Sequence, residues 1–243
     1  MALVTNAPRP RGAVAAQIAG LGVPADAWDE IVTSGDAAQD AMFSGQVGHR
    51  VWHVGPPKDV AFFTETDDPR AASLRRVSLD EAEGVVVTGP FDDLTETPED
   101  YRERLGQAAE RGLPLLCANP DLVVDYGDQR LYCAGALAQL YEELGGEALY
   151  FGKPHAPIYE LARRRLGVAD ARELAIGDGI GTDIAGALAQ GIDSLFVTGG
   201  LAAEHMGQDV ERPEHQRMTD WLSAQSAAMA MTMAPTYAIG RLR

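Results

Sequence analysis

Short β-branched runs alternate with stretches of helical periodicity almost from end to end of the chain, and this alternation restricts the fold more than any other feature. Strands are expected at residues 3–6, 30–33, 50–54, 84–88, 113–118, 148–151, 174–177 and 194–198. Between them, apolar residues recur at helical spacing, as in Leu137/Leu140/Tyr141/Leu144, Ile158/Leu161/Ala162/Leu166 and Ile184/Ala187/Leu188. Gly145-Gly146, Gly167 and Gly191 fall where helix C-caps belong. Repeated βα units build a mostly parallel sheet, so the expected class is α/β with a Rossmann-like core. The Met/Ala-rich residues 227–233 are expected in a packed C-terminal helix.

With 243 residues there is room for one large or two modest domains. Residues from about Arg50 to Tyr132 carry more charge, as in Thr64-Glu65-Thr66-Asp67-Asp68 and Phe91-Asp92-Asp93, yet still alternate strand and helix. This texture suggests a smaller α/β unit, residues 46–132, inserted into a core made of 1–45 and 133–243. Twenty basic against 36 acidic residues leave a formal charge of −16, which argues against nucleic-acid or anionic-membrane surfaces. No apolar run approaches the roughly 18 residues a membrane helix needs, and Met1-Ala2-Leu3-Val4-Thr5 enters directly into a strand, so the expected compartment is the cytoplasm. Cys117 and Cys133 make no C-x-x-C and read as reduced, partly buried thiols.

The richest stretch for chemistry is Gly177-Asp178-Gly179-Ile180-Gly181-Thr182-Asp183. A strand ends at Asp178, a glycine-rich loop follows, and a helix is expected to open at Thr182 or Asp183. Ligands of open α/β sheets bind at the carboxyl ends of strands, which is where Asp178 falls. Two carboxylates on such a turn suit a hard cation such as Mg²⁺, held by one or two acids plus phosphate oxygens. A dinucleotide loop is the weaker reading, since the pattern is not G-x-G-x-x-G and Asp178 would repel a pyrophosphate. A plain turn acid and helix cap also remain open. Lys153, in Tyr150-Phe151-Gly152-Lys153-Pro154, stands at the preceding strand end, where an ammonium can neutralise a phosphate or pair with an acid. Thr5, in Leu3-Val4-Thr5-Asn6-Ala7-Pro8, ends the first strand with a hydroxyl able to donate to a phosphate oxygen.

Taken together, Thr5, then Gly152-Lys153-Pro154, then Gly177-Asp178 with Thr182-Asp183 resemble motifs two, three and four of the haloacid dehalogenase superfamily. Asn119-Pro120-Asp121, followed by Gly135-Ala136-Leu137 and Phe151-Gly152-Lys153-Pro154, looks like its class IIA branch. The segment from Val197-Thr198-Gly199-Gly200 to Thr236-Tyr237 resembles that of a bacterial subgroup. Class IIA includes phosphatases of nucleotides, sugar phosphates, p-nitrophenyl phosphate and pyridoxal phosphate, with an α/β cap between motifs two and three. The resemblance implies phosphoryl transfer to an aspartate, then hydrolysis of the aspartyl-phosphate with Mg²⁺. Thr5 would hold a phosphate oxygen, Lys153 would steady the shared charge, and Asp178 would ligand Mg²⁺. Asp183 would serve the metal or Lys153, with Asn6, Asn119 and Asp121 near the substrate. The implied partner is a small phosphorylated metabolite, with a homodimer through the cap as a further expectation.

Motif one departs from that pattern. No Asp-x-Asp-Gly run occurs in the 243 residues, and the nearest stretch, Val85 to Asp93, lies in the expected cap. The resemblance therefore implies either a chain truncated before motif one or a non-catalytic binding protein that keeps the fold. His49, His53, His155, His205 and His215 show no metal-binding spacing.

Overall fold

The strands form where the β-branched runs lie, and nearly all of them pair in parallel. The computed structural model describes residues 1–168, 171–209 and 211–242. It divides into two compact units, Met1–Gly152 with Glu160–Gly167, and Lys153–Tyr159 with Val168–Arg243.

In chain order the first stretch runs β1 (Ala2–Thr5), α1 (Arg11–Gly20), β2 (Glu30–Thr33), α2 (Ser34–Phe43), β3 (Arg50–Val54), α3 (Ala61–Thr64), β4 (Arg75–Arg76) and β5 (Gly84–Val87). It continues with α4 (Arg102–Glu110), β6 (Leu115–Cys117), β7 (Val123–Tyr126), β8 (Gln129–Tyr132), α5 (Ala134–Glu143), β9 (Ala148–Tyr150) and α6 (Ala156–Leu166). Then come β10 (Leu174–Gly177), α7 (Ala185–Ala189), β11 (Asp193–Val197), α8 (His215–Met229) and β12 (Tyr237–Ile239).

Within the first unit, a five-stranded sheet has the order β4-β3-β5-β6-β9 with every neighbour parallel. Parallel strands covered on both faces read as unbroken apolar runs, and β5 is buried at all four positions. Trp52, Val85, Leu105, Leu115, Leu137 and Tyr141 belong to one core cluster. Burying each large apolar side chain contributes about 1.5–3 kcal/mol. The Tyr141 hydroxyl donates to the Leu113 carbonyl at 2.5 Å, so the ring brings no unpaired polar group into that core. This sheet runs past the expected boundary at residue 132. Strand β9 pairs with β6, and α5 contributes to the same core, so 133–150 lie with the inserted-type sheet instead of with a separate core.

The same unit holds the parallel pair β1–β2. Thr33 caps α2 by accepting the Asp36 N–H at 2.9 Å. The Asp36 carboxylate accepts the Arg11 N–H at 3.1 Å and the Arg165 guanidinium at 2.7 Å, an ion pair with only 5% of the acid side chain exposed. An antiparallel hairpin, β7–β8, was not legible as strands. Cys117 and Cys133 are free, buried thiols.

The second unit contains a three-stranded parallel sheet, β10-β11-β12. Ile184, Phe196, Ala202 and Met206 are its buried cluster, and Trp221 stacks on Phe196 with ring centroids 5.9 Å apart. Two local expectations change here. A π-helical turn, Ile180–Ile184, precedes α7, and Asp183 lies inside it with its carboxylate bonded to Lys153 and the Gly179 N–H instead of opening a helix as its cap. Helix α8 ends at Met229, with Ala230 left-handed at φ 51°, and none of its residues is fully buried, so residues 227–233 are not one packed helix. No helix among the described residues is long and apolar enough to cross a membrane.

Candidate functional site

Site residues gather at the carboxyl ends of parallel strands in each unit. In the first unit, Thr5 closes β1 and its Oγ1 accepts the Ala7 N–H at 3.2 Å. The hydroxyl proton is thereby left to point elsewhere. Asn6, which is buried, donates from Nδ2 to Asp121 Oδ1 at 2.8 Å. Asn119 Oδ1 accepts the Asp121 N–H at 3.0 Å, closing a tight turn around Pro120.

Two glycines make that turn possible. A Cβ on Gly135 would lie 2.2 Å from the Pro120 carbonyl oxygen, and one on Gly152 would meet Pro120 Cδ at 2.5 Å and Asn6 Oδ1 at 2.6 Å. Any other residue at either position must displace the Asn119-Pro120-Asp121 segment. The expected binding residues Asn6, Asn119 and Asp121 thus form one bonded group. With Thr5 they line a cavity of about 590 Å³ within this unit.

In the second unit, Lys153 Nζ donates to Asp183 Oδ1 at 2.6 Å, both side chains about five-sixths buried. Asp183 Oδ2 accepts the Gly179 N–H at 3.0 Å. This carboxylate therefore fixes both the lysine and the loop that follows β10. Asp178, just beyond the strand, accepts the Leu201 N–H on Oδ2 at 3.1 Å. A Cβ on Gly200 would sit 2.1 Å from that oxygen, and one on Gly177 would sit 2.3 Å from Asp183 Cγ. Glycines hold the space the two carboxylates occupy.

That donor set suits a hard divalent cation. Asp178 keeps Oδ1 without a hydrogen bond among the described residues, and Mg²⁺ commonly takes one or two carboxylates and fills its remaining positions with water and phosphate oxygen. Asp183 is better placed to orient, since each of its oxygens already has a partner. Among the described residues no group of three or more His, Cys, Asp and Glu side chains forms a closed metal cage.

A solved hydrolase of the haloacid dehalogenase-like family from Brucella suis is 39% identical to this chain, with a TM-score of 0.78, and the match covers 100% of this chain and 83% of that one. The chain belongs to the haloacid dehalogenase-like family. The HAD-hydrolase-like family model matches residues 150–224, which hold Lys153, Asp178 and Asp183. The solved glycerol phosphate phosphatase of Mycobacterium tuberculosis, in complex with calcium, is 30% identical with a TM-score of 0.59, over 79% of this chain and 55% of that one. The 5'-nucleotidase YutF of Bacillus subtilis is 33% identical over 119 residues, 47% of this chain and 46% of the relative. The matches span less than half the length of the curated relatives.

Sequence reasoning did not single out Asp59 or Thr88, and read His53 only as one of five histidines without metal-binding spacing. Asp59 and Thr88 line the first unit's cavity, and His53 bonds to Thr88. Thr88 carried a usable signal, because it follows a parallel strand as Thr5 and Asp178 do. Asp59 carried none, as its burial comes from tertiary packing.

Proposed function

We propose that this HAD-like chain carries the phosphate- and metal-holding parts of a Mg²⁺-dependent class IIA phosphatase acting on small phosphomonoesters through an aspartyl-phosphate. The five-stranded sheet would be its cap. The observation that carries the reading is the Lys153–Asp183 ion pair on the loop headed by Asp178, which keeps an ammonium and a metal-competent carboxylate in fixed positions.

The bonds already described support the following roles. Thr5 would present its hydroxyl proton to a phosphate oxygen, since the Ala7 N–H takes up one of its lone pairs and leaves the proton free to donate. Lys153, held by Asp183, offsets phosphate charge at a fixed point and needs little reorganisation as charge shifts during transfer. Asp178 would hold Mg²⁺, with Asp183 orienting the loop behind it; the bound ion would neutralise the phosphate dianion. Asn6, Asn119 and Asp121 would face the alcohol being released. The relatives named for 5'-nucleotide, glycerol phosphate and dihydroxyacetone phosphate chemistry support a small phosphomonoester as substrate.

The 243 residues contain no Asp-x-Asp-Gly run, so the nucleophile has to be supplied and this chain alone is inactive in our reading. The test is p-nitrophenyl phosphate hydrolysis with Mg²⁺. The chain by itself should give no turnover, and the chain fused to a preceding strand ending in Asp-x-Asp-Gly should give turnover. Asp178→Asn in that fusion should lower kcat by at least about 10²–10³-fold, the scale of losing a main electrostatic stabiliser. Full activity in the variant would overturn the assignment. The missing run also favours a second reading, a non-catalytic binding protein, which predicts that the fusion stays inert.

A further inference from the structure

The roles proposed above leave Asp59 unused, yet a set of side chains is arranged around it. Asp59 lies in the 3-10 turn Pro57–Val60 that follows β3, His53 lies on β3, and Thr88 follows β5. Strands β3 and β5 are parallel neighbours, so their ends arrive together. His53 Nε2 and Thr88 Oγ1 are 3.0 Å apart, and the Thr88 hydroxyl acts on the Asp59 carboxylate as a donor, working against the rise in its pKa that burial causes.

The polarity of this chain of bonds is set by chemistry. An ionised carboxylate only accepts, so Thr88 gives its single proton to Asp59 and accepts from His53 Nε2–H. Burial keeps the imidazole neutral, its pKa lowered to about 4, which leaves it one N–H to give. Gly55 leaves the space the relay needs, since a Cβ there would fall 1.9 Å from Thr88 Oγ1 and 2.6 Å from His53 Nε2.

Asp59 is 4% exposed and still lines the 590 Å³ cavity that also holds Thr5 and Asn6. Among the described residues Thr88 is the one hydrogen-bond donor to its carboxylate. The charged groups facing it are Arg9, Lys58 and Asp93. Both cations are engaged elsewhere: Arg9 donates to Gln17 Oε1 at 2.5 Å and Lys58 to Asp93 Oδ2 at 2.6 Å. A buried carboxylate has room for about four hydrogen bonds, and leaving it short of donors is costly. The cavity lining is mixed, with Pro56, Val124 and Leu131 among the amide, hydroxyl and carboxylate groups of Asn6, Thr88 and Asp121, which suits an ester that has both a carbon chain and a hydroxyl.

We propose that Asp59 is the specificity-determining residue of this cavity, accepting a hydrogen bond from a free hydroxyl on the alcohol part of a phosphate ester. Thr88 and His53 are positioning residues that aim the carboxylate. The inference rests on the phosphatase reading for the phosphate end of the ligand, at Thr5, and on the relay for the other end.

The test is calorimetric binding to the 243-residue chain in Mg²⁺ buffer, with glycerol 3-phosphate, n-propyl phosphate and inorganic phosphate as ligands. The two esters differ in the hydroxyls alone. Glycerol 3-phosphate should bind at least about tenfold tighter than propyl phosphate, the scale of one hydrogen bond to a charged group. Asp59→Asn should erase that preference. Thr88→Val should reduce it in the same direction. Equal binding of the two esters by the unaltered chain overturns the proposal without any variant having to fold, and leaves the phosphatase reading intact. Failure of all three ligands to bind overturns both.

Discussion

The five-stranded and three-stranded sheets are both parallel and both built from apolar runs, yet they differ in depth. Strand β5 is buried at every position, whereas Leu174 and Ile176 on β10 are each 50% exposed. Gly84-Val85-Val86-Val87 and Leu174-Ala175-Ile176-Gly177 look alike in sequence. What separates them is neighbours, because β5 lies between β3 and β6 and under α4 and α5, while β10 is the edge of its sheet. An apolar run thus registers a strand; the rest of the chain decides how much water the strand loses.

If that contrast is right, equivalent truncations should differ several-fold in cost. Leu115→Ala, in the fully buried core, should cost about 2–5 kcal/mol in urea unfolding followed by circular dichroism. Acid should act on the deeper sheet next. His53 is neutral in the fold with a pKa of about 4 and binds protons near 6.5 when unfolded. The unfolded chain therefore holds more protons between about pH 6.5 and 4, and stability falls by at most roughly 1.4 kcal/mol per pH unit through that window. Asp59, raised by burial, opposes this once the pH approaches its own titration. Amide protection factors of β3 and β5, which correct for the intrinsic slowing of exchange in acid, read the balance at pH 7 and pH 5, with lower protection expected at pH 5. Smallest of all, Ile176→Thr should stay within about 0.5 kcal/mol, as surface changes do. A loss comparable to that of Leu115→Ala would refute the contrast.

The strands with apolar, β-branched runs were legible because backbone pairing and burial act on the same residues. Strand β8, with Gln129 and Arg130, was not, since a hairpin held by its own cross-strand bonds and the exposed Arg130–Asp125 pair needs no apolar run. Strand β12 was missed because its three residues are exposed and form a strand only by pairing with β11. At the site, Thr5, Lys153 and Asp178 could be placed at strand ends from the alternation alone. The Lys153–Asp183 bond could be named as an option but not chosen, because loop geometry decides whether Asp183 caps a helix or holds a lysine. The Asp59 relay was invisible, as it depends on two strands separated by about thirty residues ending side by side.

The hydrogen bond from Asn6 to Asp121 joins positions 115 residues apart. Closing so long a loop is entropically costly and contributes to slow folding. The cavity wall therefore cannot exist until almost half the chain has been made and brought back on itself. Recovery of ligand binding should accordingly lag behind recovery of helix signal during refolding.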